Sequence, residues 1–266
     1  MKNSHYDWKN LLIELTKKEI SVRYKKTFFG FLWMFLNPLS QMLILGIVFQ
    51  NFANLSIKTE NYFLFLFIGL IIWNFFSNTL YTTIPIYVNE RALLQKSKFP
   101  REIILISVLF SNLFHYLVSL LVLLCFISIY FLFSNGMGVV LNLIIRTPLI
   151  LLTTIWLGLL TTGIGLFLSS LNVKYRDINF FTSAALPLLF YASPIIWELH
   201  FVPKAILPIL YLNPLASIIE INRYVFLNEG LAFSKGILLG LIVTIIVLAL
   251  GIYIFEKESP YFDDWL

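Results

Sequence analysis

Between Phe63 and Tyr87 the chain reads FLFLFIGLIIWNFFSNTLYTTIPIY, a stretch without a single Asp, Glu, Lys or Arg. Crossing a bilayer takes about 20 predominantly apolar residues, and in hydrocarbon a helix satisfies all its backbone polar groups internally. The stretch therefore predicts a membrane-spanning helix. Further apolar runs at 31–54, 103–133, 147–171, 178–197 and 236–255 bring the expected number of spans to six. Apolar residues make up 59% of the 266 and charged residues 12%, against roughly 25% charged in a soluble domain. The fold class expected is all-α and integral to the membrane, a single transmembrane domain over 1–266 with no room for a large soluble one.

The charges orient it. Of the 19 Lys and Arg, 14 fall in segments 1–30, 88–102, 172–177 and 256–266, which lie on one side if the spans alternate. The positive-inside rule makes that side cytoplasmic, with both termini on it. Lys2, Lys9, Lys17, Lys18, Arg23, Lys25 and Lys26 are mixed with Asp7, Glu14 and Glu19, unlike the basic head and apolar core of a cleaved signal. The N-terminus is expected to be retained.

Trp8, Leu11, Leu12 and Leu15 recur at i, i+3, i+4 and i+7, with Lys9, Asn10, Glu14, Lys17 and Lys18 on the other face. This predicts an amphipathic helix within 1–30, lying on the inner surface against anionic lipid headgroups. In the loop 88–102, Asn89 is expected to cap a short helix with Glu90 in its first turn, Lys96 and Lys98 near its end and Pro100 as its stop. A helix of about ten residues is marginal alone, so it should dock on something.

Prolines mark the irregular places. Pro38 lies early in the first span, and Pro187 and Pro194 interrupt the fifth. The segment 198–235 carries Pro203, Pro208 and Pro214; it reads as a re-entrant pair of outer helices, the second capped by Asn213 with Pro214 in its first turn.

Chemical motifs are scarce. None of the 12 glycines begins or ends a phosphate-binding loop ahead of a Lys. His5, His115 and His200 stand in three environments, which disfavours a metal site, and Cys125 is alone. His115, inside a span, reads either as a hydrogen-bonded neutral imidazole or as a functional intramembrane group. Glu220 and Arg223, at i, i+3, suit a plain ion pair or a gate element equally well. Aromatic residues are 17% of the chain, clustered near span ends at Trp73, Phe76, Phe180, Phe181, Tyr191, Trp197 and their neighbours. Interfacial belts account for much of this, and ring faces also stack on the C–H faces of sugars.

Four motifs in order resemble the permeases of ABC transporters that export O-antigen and teichoic acid. They are Arg23-Tyr24-Lys25-Lys26 with Gly30-Phe31-Leu32-Trp33 and Asn37-Pro38-Leu39; Lys96-Ser97-Lys98-Phe99-Pro100-Arg101-Glu102-Ile103; Leu171 to Ile178; and Asn213-Pro214 with Arg223-Tyr224. One departure is the pair Phe28-Phe29 before Gly30, where the family more often has a smaller residue and Leu. The resemblance implies a type-2 ABC exporter subunit of a bacterial inner membrane, working as a homodimer with two copies of a separate ATPase subunit. That subunit would bind ATP and Mg, leaving no cofactor in this chain. Lipid-linked polysaccharide and membrane lipids are the other implied partners; nucleic acid is not one. Carried onto this sequence, the ATPase contacts would be Arg23, Glu90, Arg91, Lys96, Lys98, Arg101 and Glu102. The glycan path would use Trp73, Phe76, Phe180, Phe181, Tyr191 and Trp197, and the outer gate Glu220 and Arg223. A same-class alternative is an exporter of a drug or small lipid. A different-class alternative, a membrane-embedded transferase, would need convergent His, Asp or Glu residues that the spans lack.

Overall fold

The computed structural model describes residues 8–24, 30–51, 61–96, 99–134, 137–227 and 234–265. Among them there is no strand. In chain order the helices are α1 (Trp8–Tyr24), α2 (Trp33–Asn51), α3 (Tyr62–Thr83), α4 (Ile86–Asn89), α5 (Arg91–Lys96), α6 (Glu102–Ser134), α7 (Met137–Lys174), α8 (Asp177–Ala192), α9 (Leu207–Tyr211), α10 (Pro214–Leu227), α11 (Ser234–Glu258) and α12 (Phe262–Trp265). Three 3-10 turns join them, at Gly30–Leu32, Leu199–Phe201 and Ser259–Tyr261. Gly30 opens the first with φ at 47°, a left-handed conformation that glycine adopts without steric cost.

The stretch quoted at the outset is the axis. A helix apolar around most of its circumference is buried around most of it, and α3 contacts α2, α6, α7, α8 and α10. Leu66, Leu70, Ile72, Phe76 and Leu80 are all at or below 2% exposure. Among the described residues, four helices are long and apolar enough to cross a membrane: α3, α6, α7 and α11. At 1.5 Å per residue the 38 residues of α7 extend roughly 57 Å, well beyond a hydrocarbon core of about 30 Å.

The other two expected spans are shorter, α2 having 19 residues and α8 16. The expected fifth span, 178–197, stops early, at Ala192. Pro194 is the reason: the residue before a proline is pushed out of the helical region, and Ser193 is extended at φ −97°, ψ 149°. Pro38, Pro148 and Pro187, by contrast, lie inside α2, α7 and α8 without ending them. The expected fourth span, 147–171, starts earlier than its hydropathy suggested, since α7 runs from Met137.

The loop 88–102 also differs from expectation. Asn89 is the last residue of α4 and caps nothing; its N–H donates to the Pro85 carbonyl at 2.9 Å. The corner falls at Glu90, whose carbonyl accepts the Leu93 and Leu94 N–H groups at 3.0 and 3.1 Å and so opens α5. Asn213 does cap α10, its Oδ1 accepting the Leu215 N–H at 3.0 Å, with Pro214 as the first helical residue.

Away from α3, helix α11 packs along α7 through facing glycines. A Cβ at Gly163 would stand 2.7 Å from Leu248 Cα, and one at Gly251 would fall on the Gly163 carbonyl. Close approach of this kind is how helices associate where no hydrophobic effect drives them together. The Trp156 indole N–H donates to Thr244 Oγ1 at 2.7 Å in the same seam. Gly251→Val should lower stability by about 1–3 kcal/mol, the usual cost of overpacking. Gly158, with open space around its would-be Cβ, should accept Ala without loss. Thermal unfolding of the two variants in detergent, read by size-exclusion profile, checks the contrast.

Candidate functional site

Three places on this scaffold gather polar chemistry: the end of α3 near Tyr62, a groove along its middle, and the opposite end near α5. At the first, Arg223 of α10 is only 1% exposed. Its Nη1 donates to Glu220 Oε1 at 2.9 Å and its Nη2 to the Ile195 carbonyl at 2.9 Å. The guanidinium carbon stands 3.3 Å from the Phe65 ring centroid. Tyr62 adds a second tie, its hydroxyl donating to the Ile196 carbonyl at 2.8 Å. The i, i+3 pair expected between Glu220 and Arg223 is therefore present, and it also holds the extended turn after α8 against α3. Glu198 and His200 pair nearby, Oε2 to Nδ1 at 2.7 Å.

Along the middle of α3, Asn74, Asn78 and Tyr81 follow one another at i, i+4 and i+7 on one face. Helix α2 sets Asn37 and Gln41 opposite. Asn74 Nδ2 donates to Gln41 Oε1 at 3.1 Å, and Gln41 Nε2 to Asn37 Oδ1 at 3.3 Å. Two cavities flank this ladder and share Asn37, Asn74, Asn78 and Tyr81. One, of about 580 Å³, also takes in Arg23, Trp33, Asn112 and His115. The other, of about 470 Å³, is walled by Trp73, Phe190 and Tyr191.

The expected aromatic residues separate accordingly. Trp73 and Tyr191 edge the groove. Phe76 is 2% exposed and packs on Trp73 within the core, ring centroids 5.7 Å apart. Phe180 and Phe181 are 74% and 68% exposed on α8 and line none of the cavities described here. Trp197 borders a separate apolar cavity of about 490 Å³ with Phe201, Ile206 and Ile209, and its indole donates to the Tyr191 carbonyl at 3.0 Å. Aromatic counting missed the amide ladder. Two pairs of uncharged amides, Asn37 with Gln41 and Asn74 with Asn78, each four residues apart within apolar stretches, were the available signal.

At the opposite end, α1 packs along α6, and Leu15 reaches a buried cluster containing Tyr87, Leu94, Leu105, Val173, Phe255 and Phe262. Lys18 pairs with Glu90 at 2.7 Å, joining α1 to the α4–α5 corner. Burial raises the carboxyl of Glu19 above its ordinary value, against the pull of Lys18; Glu90 adds a push and Arg23 a further pull. Of the expected contact residues, Arg91, Lys96 and Glu102 are exposed. Lys98 lies outside the described residues. Arg101 is engaged within the chain, its Nη2 2.6 Å from Asp263 Oδ2, and Arg23 borders the larger cavity beside the amide ladder. Asn172, in the third motif, is 2% exposed; it donates to the Ile84 carbonyl at 3.2 Å and accepts the Asn179 N–H at 3.2 Å, fixing the α7–α8 corner on the end of α3. No three His, Cys, Asp or Glu side chains among the described residues converge to hold a metal ion.

Residues 10–227 match the family described as ABC-2 type transporter. The chain belongs to that family. It is 32% identical over 260 residues to an O-antigen export system permease protein of Klebsiella pneumoniae, covering 97% of this chain and 95% of that one. A protein of the same description from Myxococcus xanthus is 29% identical over 261 residues, 97% of this chain and 96% of the relative. A polysialic acid transport protein of Escherichia coli is 26% identical over 258 residues, 94% and 96% of the two chains. The match to the ABC-2 family covers the amide ladder, the α4–α5 corner and Arg223 alike.

In this ABC-2 chain, Arg223→Ala should cost about 3–5 kcal/mol, because it strands Glu220 and the Ile195 carbonyl in a buried site. Glu220→Gln, which keeps a hydrogen-bond acceptor, should cost less than half of that. Unfolding midpoints of the two purified variants test the order.

Proposed function

We propose that this ABC-2 chain is the membrane-spanning permease of a transporter that exports a lipid-linked polysaccharide across the bacterial cytoplasmic membrane. The observation that carries the reading is the amide ladder on α2 and α3, bordered by Trp73 and Tyr191. Polar side chains at membrane depth are tolerated where they face protein or a water-filled path. Amides that both donate and accept suit a succession of sugar hydroxyls, and ring faces beside them suit the C–H faces. The relatives named for O-antigen export and polysialic acid transport agree with a glycan cargo. A drug or small lipid would be better served by an apolar groove.

In this reading α2 and α8 join the four long helices to make six crossings, with both termini cytoplasmic and α9 and α10 re-entrant from the outer side. Two copies of the chain enclose the path. Two copies of an ATPase supply hydrolysis, with ATP and Mg held there, and dock on α1 and on the exposed face of α5. The Glu220 and Arg223 pair braces the outer exit, so a gate there would move α10 as a unit.

Two experiments bear on this. An ATPase encoded beside the gene should co-purify with the chain, and Arg91→Glu with Lys96→Glu should weaken that complex by about tenfold, as reversal of rim charges at an interface does. Export by a chain that never binds an ATPase would refute the mechanism. Asn74→Leu with Asn78→Leu should leave the ATPase complex intact and reduce polysaccharide export by about tenfold or more, since each lost hydrogen bond is worth about 1 kcal/mol. Export measured by surface glycan labelling at the wild-type level would remove the ladder from the path.

A further inference from the structure

The last residues of the chain form a structure the reading above does not use. After α11 the chain turns at Ser259–Tyr261 and ends in α12, whose Phe262 has no exposed surface. The Phe262 ring sits 5.0 Å from that of Tyr87 in α4, the short helix just ahead of α5, and 6.1 Å from that of Phe255 in α11. Arg101, at the corner between α5 and α6, closes over it. Its guanidinium lies 5.6 Å from the Phe262 centroid, bonds Asp263 Oδ2 at 2.6 Å and donates to the Ser259 carbonyl. On the other flank the Lys174 ammonium at the end of α7 stands 5.1 Å from the Trp265 ring. Leu94 of α5, 7% exposed, is buried in the same cluster, with Leu93 packed against it.

A six-residue helix such as α5 has too few internal hydrogen bonds to hold its own position. Its position is set by what it packs on: it adjoins α4, whose Tyr87 stacks with Phe262 of α12, and its Leu94 belongs to the cluster that Phe262 completes. We propose that Arg101, Phe262 and Asp263 are positioning residues: the C-terminal helix is a clasp that ties α5 to the ends of α7 and α11. A push on α5 then reaches two long spans instead of being absorbed at the α5–α6 corner. The clasp rests on the reading that an ATPase drives α5, but its existence is tested separately.

The experiment uses the full chain, alone and with its ATPase, carrying Asp263→Arg, Arg101→Asp or both. Hydrogen exchange at the Leu93 and Leu94 amides, which bond the Glu90 carbonyl, reads the seating of α5. Each single charge reversal should speed it by about fivefold, the scale of a partly exposed ion pair, and the double reversal should bring it back toward the wild type. In the complex, each single should lower glycan exported per ATP hydrolysed while the ATPase stays bound and active, and the double should recover it. Wild-type exchange and wild-type export per ATP in the singles would overturn the proposal. So would a double variant no better than the singles. Should Arg101→Asp fail to fold, Asp263→Asn breaks the same contact at a side chain 55% exposed. Loss of the ATPase from the wild-type complex would count against the reading of function, while the exchange measurement still decides the clasp.

Discussion

An α-helix in hydrocarbon has no water to hide from, so what holds a bundle together there is close packing and the satisfaction of every polar group. Both demands converge on α3. Its apolar sides are enclosed by α2, α6, α7, α8 and α10, and its polar side chains bond their own preceding turn, as Thr79 and Thr83 do, tie to the turn after α8, as Tyr62 does, or face one groove. The groove exists because Asn74, Asn78 and Tyr81 cannot be buried against leucine without cost. Helix α2 answers them with amides of its own. The same constraint that encloses α3 thus leaves one polar line open along it.

The two ends of α3 are fixed by different chemistry. Near Tyr62 a buried guanidinium gathers a carboxylate, a carbonyl of an extended turn and an aromatic face, an arrangement in which each group compensates another's lost hydration. Near Thr83 the fastening is mostly apolar, a cluster built from the ends of α6, α7 and α11 with α4, α5 and α12 packed into it. Asn172 bonds the Ile84 carbonyl at that end. One end of α3 is thus braced by a buried ion pair, while the other is assembled from short, separately anchored helices. The short helices at that end owe their position to packing rather than to their own hydrogen bonds.

Much of this was legible in the sequence because the bilayer makes hydropathy informative. The apolar runs located α3, α6, α7 and α11, and the i, i+3 spacing foretold the pairing of Glu220 with Arg223. Asn213 followed by Pro214 identified the start of α10, since an amide before a proline is a capping arrangement whatever surrounds it. Local hydrogen bonding and solvent preference are properties of short stretches, and short stretches are what a sequence displays.

Partner choice is not local, and there tertiary structure decided. Residues of one type took different places: Trp73 edges a groove while Phe76 is sealed in the core, and Phe180 is exposed on α8. Arg101 and Arg91 look alike in sequence, yet one is bound to Asp263 far along the chain and the other is exposed. The amide ladder joins residues of two helices whose rotation about their axes no hydropathy pattern specifies. Hydrophobicity by itself determined that these helices enter the membrane, because that choice is made one segment at a time. Which side chains meet inside it depends on how such segments pack together, and only the folded chain supplies that geometry.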